Sequence, residues 1–141
     1  MKKAIYPCLW FDGQAKAAAS LYCSIFKNSK IISDSPLVVK FEINGQEFMG
    51  LNGGPTFKFN EAVSFVVECE SQEEIDTYWD KLIANGGQES QCGWLKDKYG
   101  VSWQIIPSIL SELMREPEKA SRVMDKILKM KKLDIETLIN A

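Results

Sequence analysis

The chain has 141 residues, 45% of them hydrophobic and 26% charged, which is the composition of one globular domain or of two small modules that share a core. A formal charge of −2 argues against a nucleic-acid or anionic-membrane surface. The sequence contains no apolar run of the roughly 18 residues that a membrane span needs, and its N-terminus has too short an apolar stretch for a signal peptide. We therefore expect a cytoplasmic protein without membrane or nucleic-acid partners.

The cysteines and the missing histidines limit the chemistry. Cys8, Cys23, Cys69 and Cys92 form no C-x-x-C pair and no zinc-type spacing, so we expect free thiols. Histidine is absent, which excludes a Ser-His or Cys-His catalytic pair and any His-ligated metal site. Acid–base catalysis would have to use Asp, Glu, Cys, Tyr or Lys.

Residues 1–53 predict a first module of strand, helix and three strands. The strands are expected at Ile5–Phe11, Lys30–Ser33, Leu37–Ile43 and Gln46–Asn52. Asp12 is predicted to cap the helix, whose apolar stripe comprises Ala15, Ala18, Ala19, Tyr22, Ile25 and Phe26. Asn44-Gly45 is typical of a two-residue hairpin turn between the last two strands.

After a predicted linker at 54–61, residues 62–107 repeat this order. A strand at Ala62–Cys69 precedes a helix with a capping box formed by Ser71 and Glu74. The apolar stripe of this helix comprises Ile75, Tyr78, Trp79, Leu82 and Ile83. Two or three short strands then end at Pro107. Two such modules should pack together, with helices on the convex side of the sheets and a cleft on the concave side.

Residues 108–141 predict helices only. Ser108 is expected to cap the first, Pro117 to begin the second and Asp134 to cap the last. Their apolar stripes indicate docking on their own domain, and the alternative is that they cross to a partner subunit.

The segment Asp97–Gln104 reads D-x-x-G-x-x-W-Q and ends the second module. With the duplicated plan, it resembles the vicinal oxygen chelate (glyoxalase/bleomycin-resistance) superfamily. The resemblance is closest to its PhnB-like branch, whose domain carries the label 3-demethylubiquinone-9 3-methyltransferase. The segments that carry it are Pro7–Tyr22, Leu51–Asn60, Ala62–Cys69 and Cys92–Pro107. The resemblance implies an α+β glyoxalase/bleomycin-resistance-like fold, with two βαβββ modules, curved mixed sheets and a C-terminal helical extension, and it implies a homodimer.

Metal-dependent members of the superfamily hold a divalent ion at inward positions of strands one, four, five and eight. These positions fall on Gln104, near Cys8, near Gly50 or Asn52, and near Ser64. Their neutral amide, hydroxyl and thiol groups would bind a divalent cation weakly, because such ions prefer carboxylate, imidazole or thiolate ligands. We therefore expect no metal cofactor.

Alternation along the strands predicts which side chains line the cleft. The expected ligand-binding residues are Tyr6, Cys8, Trp10, Gly50, Asn52, Ser64, Ser102 and Gln104. The opposite face, expected under the helices, carries Leu9, Phe65, Val67, Trp103 and Ile105. A pocket with a few polar groups among aromatic ones is typical of small-molecule sites. The alternative is that Gln104, Ser64 and Asn52 satisfy one another and bound water.

Other candidate groups have structural alternatives. Cys8 is a nucleophile only if a neighbouring cation, such as Lys40 or Lys58, stabilises its thiolate, and otherwise it is an inert thiol. The loop Phe57-Lys58-Phe59 would close over an anionic ligand or plug the seam between modules. Glu61 and Glu68 are candidate general bases or ordinary solvated acids.

The leading hypothesis is a metal-independent small-molecule-binding protein of the glyoxalase fold. The first alternative is an enzyme, either a lyase, isomerase or dioxygenase-type relative or the methyltransferase of the label. S-adenosylmethionine would be a cofactor only in that last case, and the sequence lacks the glycine-rich loop after a strand that such a fold would usually show. The second alternative is a protein that sequesters a drug or metabolite.

Overall fold

Each half of the chain folds as a strand, a helix and three strands, in a computed structural model that describes residues 4–141. The first half contains β1 (Cys8–Phe11), α1 (Ala15–Ile25), β2 (Lys30–Asp34), β3 (Val38–Ile43) and β4 (Gln46–Asn52). The second contains β5 (Ser64–Cys69), α2 (Gln72–Ile83), β6 (Gln88–Glu89), β7 (Trp94–Lys96) and β8 (Ser102–Pro107). Two compact units divide between Phe59 and Asn60, inside the predicted linker.

Both sheets have four strands and the same mixed topology. Their orders are β1-β4-β3-β2 and β5-β8-β7-β6. In each, the first strand runs parallel to the last, β1 with β4 and β5 with β8, and the other pairs are antiparallel. The predicted α+β class with two strand–helix–three-strand modules is confirmed.

In the first unit, α1 covers one face of its sheet, and its buried residues are the predicted stripe. The predicted cap Asp12 is wrong. The N-cap position is Gln14, whose side chain makes no capping bond. Asn52 Oδ1 instead accepts a hydrogen bond from Ala15 N at 2.9 Å, while Asn52 Nδ2 donates to Pro36 O at 3.0 Å. The N–H donor at the start of α1 is therefore satisfied by a strand residue that is distant in sequence, whereas the sequence predicted a cap from the adjacent Asp12.

In the second unit, α2 covers one face of its sheet in the same way. Ile75, Trp79 and Leu82 are buried on the helix. The facing strand residues Leu95, Trp103 and Ile105 are buried as well. The predicted cap is confirmed, because Ser71 Oγ accepts a hydrogen bond from Glu74 N at 3.2 Å.

The D-x-x-G segment forms the turn between β7 and β8 around one buried carboxylate. Asp97 is 2% exposed, and its Oδ1 accepts hydrogen bonds from Tyr99 N at 2.9 Å and Val101 N at 3.1 Å. Its Oδ2 accepts from the indole Nε1 of Trp103 at 2.9 Å. Gly100 has φ +89°, a conformation that suits glycine. The motif therefore fixes a turn and holds the tryptophan that faces α2.

The C-terminal helices α3 (Leu110–Leu113), α4 (Pro117–Ile127) and α5 (Ile135–Ile139) pack on their own unit. Their buried cluster contains Val123, Ile127, Leu133 and Leu138, and it packs against Ile106 and Cys92 of the sheet region. Gln72 joins α2 to this extension: its Nε2 donates to Leu133 O, and its Oε1 accepts from Ile135 N. The C-terminal helices therefore dock on their own domain, which was the first of the two alternatives.

The start signals of these helices were partly correct. Pro117 begins α4, and Asp134 Oδ1 caps α5 by accepting from Thr137 N at 2.9 Å. Ser108 does not cap α3, which begins at Leu110 with Ile109 at its N-cap position. Over residues 4–141, every helix is too short or too polar to cross a bilayer.

We predict that Asp97→Asn lowers the free energy of unfolding by about 1–3 kcal/mol. An amide in this position turns its own N–H₂ group toward either the indole or the two backbone N–H groups, so at least one buried donor loses its acceptor. Urea unfolding of the variant measures the change.

The control is Asp125→Asn, on the exposed side of α4. In a Trp103→Phe background, which removes the indole donor, the cost of Asp97→Asn should shrink. Equal stability of Asp97→Asn and Asp125→Asn would contradict the role of the carboxylate.

Candidate functional site

The first sheet has an open face that α1 does not cover. Cys8 pairs with Met49 and Trp10 with Leu51 in the parallel register, so these four side chains share a face. Lys40 of β3 pairs with Met49 on the opposite edge of β4, so its side chain lies on the same face. The ammonium of Lys40 lies 5.9 Å from the ring centroid of Tyr6. The predicted grouping of Tyr6, Cys8 and Trp10 is therefore consistent with this face.

The face assignment of Gly50 and Asn52 was wrong. Gly50 pairs with Leu9 and Asn52 with Phe11, so both point to the side that α1 covers. A Cβ built on Gly50 would lie 3.0 Å from the Cβ of Ala15, so the glycine lets the helix approach the sheet closely. The cause is the parallel register, which places Met49 and Leu51, not their neighbours, beside Cys8 and Trp10.

Trp10 is held in place by the segment that follows β4. Its Nε1 donates to Gly54 O at 2.9 Å, and a Cβ built on Gly53 would overlap its indole. The ring centroid of Phe57 lies 4.9 Å from that of Trp10, in an edge-on arrangement. Phe59 packs in the same manner on Phe11 at 5.4 Å. Both phenylalanines of the Phe57-Lys58-Phe59 loop thus contact β1.

The thiol of Cys8 lacks the surroundings of an activated nucleophile. Partial desolvation raises its pKa above the ordinary value. Met49 lies between Cys8 and Lys40 in the strand row, so Lys40 does not adjoin the thiol. Burial raises the pKa of Cys69 to about 12, helped by the carboxylates of Glu74 and Glu70. All four cysteines are free thiols, as expected.

The second sheet also has an open face, and it carries the other predicted site residues. Ser64 pairs with Ser102, and Val66 with Gln104, so these side chains point to the side away from α2. Gln104 Nε2 donates a hydrogen bond to Ser64 Oγ at 2.9 Å. The strand pattern thus correctly grouped Ser64, Ser102 and Gln104. The alternative that polar residues satisfy one another holds for Gln104 and Ser64, which bond to each other.

A pocket of about 190 Å³ opens in this unit near the start of β8. It is lined by Glu61, Gln88, Glu89, Ser90, Trp94, Leu95, Lys96 and Ser102. We call it the Ser102 pocket. Lys96 lies opposite Ser102 in the β7–β8 register, and Trp94 lies opposite Gln104. The antiparallel pairing therefore sets a cation and an aromatic ring beside the predicted polar residues.

The charges of the Ser102 pocket are partly paired. Lys96 Nζ lies 3.0 Å from Glu61 Oε1, and this hydrogen bond lowers the pKa of the Glu61 carboxyl. Glu89 Oε2 accepts from the neutral indole Nε1 of Trp79 at 2.7 Å. Ser102 is 1% exposed, and among residues 4–141 its Oγ has no hydrogen-bond partner. A buried hydroxyl without a partner is uncommon in folded proteins.

Sequence reasoning missed six lining residues of this pocket: Gln88, Glu89, Ser90, Trp94, Leu95 and Lys96. Glu61 was named, but only as a candidate base. The strands β6 and β7 have two and three residues, too few for alternation to predict a face. One usable signal was the turn itself: with Asp97 and Val101 closing it, Lys96 has to lie opposite Ser102.

The residues at the superfamily's metal positions do not fit a divalent ion. Both amide atoms of Asn52 are already hydrogen-bonded, to Ala15 N and Pro36 O. The β4 residues that do lie on the open face, Met49 and Leu51, are apolar. Ser64 and Gln104 are neutral and bonded to each other. Across the described chain, no three His, Cys, Asp or Glu side chains gather in a way that could hold a metal ion.

We predict that iodoacetamide alkylates Cys8 faster than Cys69 in the folded protein, because Cys8 is exposed and Cys69 is buried. Since the pKa of Cys8 is raised, little thiolate exists at neutral pH, and its alkylation rate should still be rising as the pH passes 9.0, the ordinary thiol value. Peptide mapping by mass spectrometry follows each site.

Cys8→Ser serves as the control that identifies the fast site. A rate that already reaches its plateau near neutral pH would contradict an inert thiol and would make Cys8 an activated nucleophile.

Comparison with known proteins agrees with the fold and its motifs. The family model described as 3-demethylubiquinone-9 3-methyltransferase matches residues 3–106. The PhnB protein of Bacillus cereus is 35% identical, with a TM-score of 0.68, over 75% of this chain and 100% of that one. No curated protein matches the chain.

More distant structures share the fold alone. The fosfomycin resistance protein FosX of Listeria monocytogenes, solved with Mn(II) and sulfate, has a TM-score of 0.59 at 18% identity, over 82% of this chain and 98% of that one. A glyoxalase/bleomycin resistance protein of Albidiferax ferrireducens has a TM-score of 0.54 at 14% identity, over 74% of this chain and 97% of that one. The chain belongs to the PhnB-like family, whose domain is described as 3-demethylubiquinone-9 3-methyltransferase.

Proposed function

We propose that this protein binds a small organic molecule on the open face of its second sheet, without a divalent metal as cofactor. The observation that carries the proposal is the Ser102 pocket, together with the pairing of Ser102 with Ser64, which bonds to Gln104 on the open face. A concave site with a few polar groups and an aromatic ring is the usual form of a small-molecule site. The four free thiols favour a reducing, cytoplasmic location.

Metal independence is supported by the chemistry of the side chains. Hard divalent ions take anionic oxygen ligands, and zinc or nickel sites favour imidazole or thiolate. Gln104 and Ser64 supply only neutral oxygens, and Gln104 commits its N–H₂ group to Ser64. Cys8, with a raised pKa, would have to lose a proton before it could act as a ligand.

An enzyme of the family's description, a methyltransferase, is the second candidate, and it rests on the family match. The strand-to-helix connections offer little support for it. Residues 12–14 join β1 to α1 and contain one glycine, and residues 70–71 join β5 to α2 and contain none. Glycine-rich loops at such connections bind nucleotide cofactors through their backbone N–H groups.

Sequestration of a drug or metabolite is a further alternative. It would need small-molecule binding at the proposed site without turnover.

We predict that chelator-treated protein still binds small organic ligands. A compound panel in thermal-shift format should give saturable stabilisation, about 2.7 kcal/mol at a ligand concentration of 100 Kd. Gln104→Ala should reduce that stabilisation, because it removes the amide that bonds to Ser64, and Gln104 pairs with Trp94, a lining residue of the pocket. Gln91→Ala, in an exposed turn, is the matched control.

Elemental analysis of protein purified without added metal accompanies this panel. One tightly held Zn, Ni, Fe or Mn ion per chain would overturn metal independence. Methylated product after incubation with S-adenosylmethionine and a demethylated quinone would establish the second candidate.

We also propose that the protein is a homodimer. Its support is the exposure of two valines three residues apart at the start of the second unit, Val63 at 66% and Val66 at 53%. Exposed apolar groups that cluster often mark association surfaces.

Light scattering should therefore give a mass of twice the 16.0 kDa chain. Val66→Lys should shift the mass toward the monomer, because the dimer would bury that charge, whereas Leu128→Lys on the C-terminal helices should not. A wild-type mass equal to that of one chain would refute the dimer.

A further inference from the structure

We infer that Asn85 is a site of spontaneous chemical modification, at which the side-chain amide is lost and the backbone is rearranged. The chain contains three Asn-Gly dipeptides, Asn44-Gly45, Asn52-Gly53 and Asn85-Gly86. The structure restrains the first two and leaves the third exposed. This inference does not depend on the proposed function.

Asn-Gly is a reactive dipeptide because glycine has no side chain to shield its backbone nitrogen. After that nitrogen loses its proton to water, it attacks the asparagine Cγ. A C–N bond forms, the bond from Cγ to Nδ2 breaks, and ammonia leaves after taking a proton from the solvent. Water then opens the cyclic imide at either carbonyl group, which gives aspartate or isoaspartate. The backbone must rotate until the nitrogen reaches Cγ, so hydrogen bonds that hold either group slow the reaction.

Asn52-Gly53 is restrained at both reacting groups. Asn52 Oδ1 accepts a hydrogen bond from Ala15 N, and its Nδ2 donates to Pro36 O, so both polar atoms of the amide are held. The Gly53 N–H donates to Phe11 O at 3.0 Å. The nitrogen and the amide can approach each other only after these bonds break.

Asn44-Gly45 is restrained through its backbone. It forms the hairpin turn that the paired strands β3 and β4 close. The Gly45 N–H donates to Asn28 O at 3.1 Å, and the Asn44 N–H donates to Ser29 Oγ at 3.0 Å. The attacking nitrogen is therefore engaged, although the asparagine side chain is exposed.

Asn85-Gly86 lies in the connection between α2 and β6, and both residues are exposed. Within residues 4–141, neither the Gly86 N–H nor the Asn85 side-chain amide makes a hydrogen bond. Asn85 has φ +60°, close to the +49° of Asn44, so this backbone angle does not distinguish the two turns. The hydrogen bonding of the attacking nitrogen does distinguish them.

Isoaspartate at position 85 would act on β6. It lengthens the main chain by one carbon between Ile83 and Gly87, where the Gly87 N–H donates to Ile83 O at 2.9 Å. This contact is close, since a Cβ built on Gly87 would lie 2.4 Å from the Cα of Ile83. β6 follows directly, and its Glu89 accepts the indole hydrogen bond of Trp79. The longer connection should weaken both hydrogen bonds.

Incubation of the folded full chain in mildly alkaline buffer tests the ranking. Peptide mapping by mass spectrometry follows the conversion of each asparagine, and Asp-N protease, which does not cleave at isoaspartate, separates the two products. Asn85 should convert about tenfold faster than Asn44, whose two backbone hydrogen bonds must open first. Asn52 should be the slowest. In unfolding concentrations of guanidinium chloride the three rates should become similar, because only the fold separates them.

A variant of the hairpin tests the protective role of its hydrogen bonds. Ser29→Ala removes one of the two bonds that hold Asn44 and should raise the Asn44 rate about fivefold, the effect of one ordinary hydrogen bond. Ser24→Ala, on the exposed side of α1, is the matched control and should leave that rate unchanged. The rate at Asn85 should be the same in both variants.

The effect on β6 has its own measurement. In ¹H–¹⁵N spectra, the aged chain should show a second, shifted signal for the Trp79 indole N–H. Freshly purified Asn85→Asp carries the new charge without the longer main chain, so it should show only the original signal. An aged chain that keeps the original signal alone would overturn the effect on β6.

Three results would overturn the assignment of Asn85. They are conversion of Asn44 or Asn52 as fast as that of Asn85 in the folded chain, no conversion of Asn85 in the folded chain, and a ranking that persists in guanidinium chloride. None of them involves ligand binding, so the proposed function would stand in each case.

Discussion

The second unit depends on the buried carboxylate of Asp97, which accepts hydrogen bonds from two N–H groups of the turn at 97–101 and from the indole of Trp103 on the strand beyond it. By closing the turn it sets the pairing of β7 with β8. That pairing directs Trp103 toward α2 and aligns Lys96 with Ser102 on the other side. A single charge–dipole cluster thus determines both the packing of the helix and the composition of the pocket wall.

The two halves fasten their helices in different ways although they share one plan. In the first, a neutral amide on the last strand, Asn52, reaches the start of α1. In the second, the neighbouring Ser71 caps α2. The buried polar contact lies instead between Asp97, in the turn before β8, and the indole of Trp103, which faces α2. Repetition of the strand and helix order therefore preserves the layers but not the hydrogen bonds that hold them.

Hydrophobic periodicity predicted both helices, both sheets and the position of the C-terminal helices, because these depend on which side chains avoid water. Caps at Ser71 and Asp134 were predictable since their bonds are local. The bond to Ala15 spans 37 residues, which local patterns do not reveal. On β4 both faces carry apolar side chains, so alternation alone could not tell Gly50 from Met49.

Only part of the candidate site could be predicted from the sequence, because only the longer strands show a clear alternation. Ser64 and Gln104 stand on six-residue strands with a clear alternation, and their grouping followed from it. Along β8 the surroundings then change within a few residues: Ser102 borders a polar pocket, whereas Ile106 is covered by the C-terminal helices. Substitutions at the pocket end of this strand can therefore change the pocket wall while the other end keeps its place in the core, so the two ends of one strand can vary independently.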